Sequence, residues 1–142
     1  MIHLLLLLFA YHCQAMDTLQ LPVANGYIYH PKSDTELLCR RRIGIYISAT
    51  SDFSVKSVRQ GRVASIFSVA SGDGYEVAIV SNGLYFFYGQ IHKVRVKTGE
   101  TVQRGQIIGE LSSDSQNKHL LLFSVYKHGK ELNEETVLRQ GQ

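Results

Sequence analysis

The residues of this chain that could hold a metal ion or move protons are its histidines, cysteines and carboxylates. Histidines stand at His3, His12, His30, His92, His119 and His128, and cysteines at Cys13 and Cys39. A hydrolytic zinc ion needs three protein ligands and an open position for a water whose pKa it lowers. The chain contains neither an H-x-H nor an H-x-x-E-H spacing, so a metal centre would have to be assembled from scattered positions. His92 alternates with Val94 and Val96 and so falls with outward-facing residues, His128 lies in a turn, and His30 precedes Pro31. All three read as solvated side chains. Beyond residue 15 the one cysteine is Cys39, which excludes an internal disulfide there and reads as a small buried hydrophobe. No G-x-x-x-x-G-K-S/T loop is present, so nucleotide chemistry has no support.

The elements that would position these residues are mostly short β-type runs. They recur about every ten residues beyond Cys39, at Ile43–Ser48, Ser54–Val58, Arg62–Val69, Glu76–Val80, Leu84–Tyr88, Val94–Lys97, Ile107–Leu111 and Leu120–Tyr126. Glycine-bearing turns separate them, and Asn82-Gly83 is the strongest hairpin signal in the chain. The pattern predicts a mainly β fold, an antiparallel sandwich or half-barrel. Residues 16–39 show no sustained period and are punctuated by Pro22, Gly26 and Pro31, which predicts an extended N-terminal arm. Only Glu131–Gln140 has a helical look, predicting a short C-terminal helix or turn where the β domain ends, at about residue 133, and a C-terminal tail at 134–142 begins.

At 142 residues and 44% hydrophobic, the chain can bury one core without staples. The first fifteen residues combine an apolar run from Ile2 to Ala10 with a Cys13-Gln14-Ala15 ending, the form of a cleavable signal peptide. The run is too short to span a bilayer. Export to the periplasm or the extracellular side of a bacterial envelope is therefore expected, with no stable transmembrane segment in the mature chain. Fifteen Lys/Arg against twelve Asp/Glu give a net charge of +3, too slight to imply nucleic acid. Basic residues gather at Arg40-Arg41-Arg42 and alternate at Lys93, Arg95 and Lys97, a pattern shared by solvated strand faces and by sites for anionic partners.

Three segments in order carry a more specific signal: VKSVRQGRVASIF, GDGYEVAIVSNGLYFFYGQI and VKTGETVQRGQIIG. Their spaced residues are Val55, Gly61 and Val63; Gly74, Val77, Ile79 and Gly83; Tyr88; then Val96, Gly99, Val102, Gly105, Gln106, Ile108 and Gly109. This series resembles the lysostaphin/LytM-type zinc endopeptidases over residues 40–133. The resemblance implies the duplicated hybrid-motif fold of that family and a groove that holds a peptide.

It also implies where a metal centre would lie, and the residues there differ from the family's. Aligned with the family's H-x-G-I-D-type strand, Arg42 stands at the His position and Tyr46 at the Asp position. Tyr88-Gly89-Gln90 aligns with Y-x-H, placing Gln90 where an imidazole would assist the attacking water. For the closing H-x-H strand, anchoring on Phe123 and Val125 places Leu120 and Leu122 at the two His positions. With a gap, His119 takes the first and Leu121 the second. A one-residue offset in a strand turns a side chain to the opposite face, so the two registers are physically distinct.

The expectation is a chain with no catalytic residues, no metal and no cofactor, whose candidate groove comprises Arg42, Tyr46, Tyr88, Gln90, His119, Leu121 and Leu122. Through it the domain would bind peptidoglycan stem peptides, a cell-wall hydrolase or another envelope protein, and regulate or position it. Two other functions compete: a peptidoglycan endopeptidase with an atypical zinc site, and a structural subunit of an envelope secretion or conjugation assembly.

Overall fold

The structure, a computed structural model, describes residues 20–30, 44–70, 72, 74–114 and 117–139. The signal-peptide reading, Cys39 and the Arg40–Arg42 cluster lie outside these residues. Among the described residues ten strands form one antiparallel sheet system: β1 (Tyr27–Tyr29), β2 (Ile45–Ser48), β3 (Ser54–Lys56), β4 (Gly61–Ser68), β5 (Tyr75–Ser81), β6 (Leu84–Val94), β7 (Thr101–Val102), β8 (Ile107–Leu111), β9 (Leu120–Lys127) and β10 (Lys130–Glu131). The main sheet runs β1-β2-β9-β6-β5-β4-β7, with β8 bridging β3 and β6 and β10 pairing with β9. A short helix, α1 (Glu134–Arg139), follows. The mainly β antiparallel architecture is the one the strand spacing predicts, and the short helix falls within the Glu131–Gln140 segment that reads as helical.

Asn82 and Gly83 both take positive φ (49° and 76°) between β5 and β6, the backbone that a tight two-residue hairpin requires. Gly109 serves a different need. A Cβ there would collide with the Ile91 side chain and stand 2.7 Å from the Lys93 carbonyl oxygen, so β8 can lie against β6 only because this residue has no side chain.

The core forms where strands turn alternate residues inward. Ile47, Val55, Val63, Val77, Ile79, Phe86, Tyr88, Ile91, Val102, Ile108, Leu121, Phe123 and Val125 make one buried cluster, closed at the C-terminal end by Val137 and Leu138 of α1. The described part of the N-terminal arm is tied on by backbone bonds. β1 pairs with β2, Val23 bridges Val55, and the Lys56 N–H donates to the Pro22 carbonyl at 2.7 Å.

One predicted strand is replaced. Val94–Lys97 is not separate: β6 continues from Leu84 to Val94 through a bulge, where Gly89 and Gln90 together stand opposite Glu76. Gln90 takes φ 67°. The Gly89-Gln90 step that ends the run at Tyr88 on sequence grounds is absorbed as a bend inside the strand.

Candidate functional site

The sheet has a second apolar patch on the face away from the main core. Tyr46 lies beside Leu122 across the β2–β9 pairing, Ser48 lies beside Leu120, and Tyr29 of β1 lies beside Tyr46. Because side chains alternate along each strand, Tyr46, Leu120 and Leu122 fall on one face while Ile47, Leu121 and Phe123 fall on the other. Tyr46, Leu120 and Leu122 are 7%, 3% and 4% exposed and form a cluster with Tyr29 packed against it. Lys118 closes one end of the patch: its Nζ donates to the Tyr29 hydroxyl at 2.6 Å and sits 4.6 Å from the centre of the Tyr29 ring.

The row continues across the sheet. Leu122 pairs with Gly89 of β6, and a Cβ on Gly89 would stand 3.4 Å from both the Leu122 Cβ and a Glu76 carboxylate oxygen. Tyr29, Tyr46, Leu122, Gly89 and Glu76 thus cross five strands in one line. Gln90, half-buried, follows Gly89 at the bulge.

The structure brings together Tyr46 and Leu122 and places Gln90 next in the chain to Gly89, which lies opposite Leu122. Three other predicted groove residues, Leu121, Tyr88 and His119, go elsewhere. Leu121 is fully buried in the main core, one residue out of phase with Leu122. Tyr88 also points inward, where its hydroxyl accepts the Val58 N–H at 3.0 Å and its ring meets Phe123 edge-on at 5.3 Å. Burial pushes the Tyr88 phenol up to about 12, against the smaller opposing effect of the Val58 N–H, so it stays protonated at any ordinary pH.

His119 stacks flat on Phe53, ring centres 3.6 Å apart and 5° from parallel, and Phe53 packs on the main core. That contact places His119 with the inward residues of β9 and away from Tyr46. Of the two registers open for the last strand, only the one using Leu120 and Leu122 puts side chains on the Tyr46 face. Arg42 lies outside the described residues. His30, His92 and His128 are exposed. Among the described residues no three His, Cys, Asp or Glu side chains gather into a group that could hold a metal ion.

Of the basic row, Arg95 Nη2 donates to a Glu110 carboxylate oxygen at 2.5 Å and Lys93 Nζ lies 3.6 Å from the other oxygen. Arg95 above all holds the Glu110 carboxyl below its usual range. Part of that row is therefore engaged within the chain. Tyr29, Lys118 and Glu76 were not among the residues singled out from sequence. Their place on the Tyr46 face depends on pairings between distant segments, for which the local pattern carries no signal.

Comparison with known proteins bears on this geometry. The family model described as Peptidase family M23 matches residues 40–134. Among solved structures, the chain resembles the catalytic domain of the prophage-encoded M23 protein EnpA from Enterococcus faecalis, with 23% identity and a TM-score of 0.59 over 78% of this chain and 90% of that one. Helicobacter pylori Csd3 is 30% identical, with a TM-score of 0.54 over 81% of this chain but 30% of Csd3. The structure of the SpoIIQ-SpoIIIAH pore forming complex gives 18% identity and a TM-score of 0.59 over 84% of this chain and 89% of that one. Among curated proteins nothing matches.

Proposed function

The chain belongs to peptidase family M23, and from that premise we propose that it is a non-catalytic member, a cell-envelope module that binds peptidoglycan or an envelope protein. The observation that carries this reading is the pairing of Tyr46 with Leu122 inside an apolar cluster. By alignment with the family's motifs these two stand at ligand positions, with Leu120 at the first His of H-x-H, Gln90 at the Y-x-H imidazole and Arg42 at the remaining ligand. Zinc takes thiolate, imidazole or carboxylate donors. A phenol, two leucines, an amide and a guanidinium do not fit it, and no step of a hydrolysis can be routed through them.

The same replacements leave a surface suited to recognition. Its floor is packed, and Tyr29, Lys118 and Gln90 lie around it, while the alignment alone assigns Arg42 to this site. Guanidinium and ammonium groups pair with carboxylates, which peptidoglycan stem peptides carry. Family membership supports peptidoglycan as the ligand and the envelope as the location. No helix among the described residues is long and apolar enough to cross a membrane.

The test is a pull-down with insoluble peptidoglycan, comparing wild type with an Arg42→Ala, Gln90→Gly pair. Gln90 has positive φ, so glycine removes its amide without straining the bulge. Binding by wild type that falls in the pair is the expected result. Stoichiometric zinc in the purified protein, together with muropeptide cleavage that a chelator abolishes, would overturn the reading in favour of an atypical endopeptidase. The likeness to the SpoIIQ-SpoIIIAH complex favours a second role as a subunit of an envelope assembly, to which stable co-purification with several envelope proteins would point.

A further inference from the structure

The main sheet has an edge that the described residues leave open. β4 is paired with β5 from Arg62 to Ser68 on one side. On its other side β7 reaches only Gly61 and Arg62, and Val63 exchanges backbone bonds with Gly99 and Glu100. From Ala64 to Ser68 no described residue pairs with that outer side. Such an edge presents a row of main-chain N–H and C=O groups, a template for another strand.

Edges of this kind are ordinarily blunted by lysine, proline or a bulge. The open stretch, Ala64-Ser65-Ile66-Phe67-Ser68, contains no charge and no proline. Its bulge falls at the very start, between Val63 and Ser65, so Ser65 to Ser68 run in regular register against Ala78 to Tyr75. Phe67 is 46% exposed at this edge, and Ser68 beside it is exposed. The opposite edge differs, being only the three residues of β1 with Lys118 bonded to Tyr29.

We propose that the open edge of β4 pairs with the same edge of a second copy of this chain, antiparallel about a two-fold axis, joining two sheets into one. An extended strand is the partner that satisfies alternate N–H and C=O groups. The stretch is uncharged, so a charged partner strand would find no counter-charge, whereas its own copy brings serines and apolar side chains of the same kind. Pairing like with like also uses both open edges at once and gives a closed dimer. Five residues a side with two Phe67 rings fall at or below the low end of the roughly 1,200–2,000 Å² typical of stable complexes. The dimer is accordingly weak, with a dissociation constant on the order of micromolar.

The test is sedimentation of the full chain over a concentration series, with wild type, Phe67→Lys and Ser68→Lys. Both substitutions are at exposed positions and place like charges across the two-fold, which disfavours pairing. The expected result is a wild-type monomer–dimer equilibrium that each variant weakens by about tenfold or more. Amide exchange gives a second readout that association through the apolar N-terminus would not move: Ile66 to Ser68 should gain protection with concentration in wild type and not in Phe67→Lys. A wild type that stays monomeric to hundreds of micromolar, or association that survives both substitutions, overturns the proposal.

Discussion

On the alignment proposed above, replacing Leu122 with histidine puts back the residue type of the family's motif, and the structure says what that costs. Leu122 is 4% exposed and packs on Tyr46 and Leu120. Losing a fully buried leucine forfeits about 1.5–3 kcal/mol of apolar burial, and an imidazole without a partner in that cluster adds about 1–3 kcal/mol. Leu122→His should therefore destabilise by about 3–5 kcal/mol, a large share of the roughly 5–15 kcal/mol that holds most domains folded. The chain has no tryptophan, so urea unfolding is followed by far-UV circular dichroism, with and without zinc. Zinc should not restore the single variant. In Tyr46→Asp, Leu122→His a carboxylate and an imidazole face each other across the β2–β9 pairing, about 4.5–5.5 Å apart at Cβ, and zinc at a hundred times its dissociation constant should return about 2.7 kcal/mol. A loss below about 1 kcal/mol in the single variant would mean the face is not packed. A zinc-dependent gain in wild type as large as in the double variant would mean that the natural chain holds the metal, and the reasoning fails.

Three further outcomes follow from the geometry. Tyr88→Phe removes the acceptor of the Val58 N–H and should lower stability by about 1–2 kcal/mol in urea unfolding while leaving peptidoglycan pull-down unchanged. Burial first, and then the neighbouring Glu131 carboxyl, push the Glu134 carboxyl up from 4.5 to about 7. A raised folded-state pKa means its stabilising effect is fully present below about 4.5 and is lost as pH rises through about 7. Compared by urea unfolding at pH 5 and pH 8, Glu134→Gln should gain on wild type by at most about 3 kcal/mol. Asp52 and Glu110, whose carboxyls are lowered by the Ser54 hydrogen bond and by Arg95 respectively, act in the opposite direction but cancel in this difference. Gly109→Ala, which drives a methyl into Ile91 and the Lys93 carbonyl, should lower the melting temperature more than Gly83→Ala. The latter opens onto free space and strains only its φ of 76°.

What is legible in the sequence is local. Strand periodicity is carried by neighbouring residues, and β8 is found at the predicted Ile107–Leu111. The Asn82-Gly83 hairpin needs only two residues able to take positive φ. A strand that bends is harder to read: a Gly-Gln step looks like an ending, and only the pairing of β6 with β5 across the bulge and with β8 beyond it carries the chain through. The two-residue strands β7 and β10 are too short to show a period at all.

The residue types that the proposed alignment sets against the family's site are legible from the chain alone, because alignment compares them one by one: Tyr46 and, in either register, a leucine against metal ligands, and Gln90 against the imidazole that assists the water. Which leucine shares a face with Tyr46 was not legible. That depends on β2 meeting β9 with Tyr46 opposite Leu122, a contact between residues far apart in the chain whose register no local pattern encodes. The same pairing sends Leu121 and Tyr88 into the core, stacks His119 on Phe53, and brings Tyr29 and Lys118 to the patch. Sequence determined which side chains are available, through their chemistry. The tertiary structure decided which of them meet, because a one-residue shift in a strand reverses the face that a side chain joins.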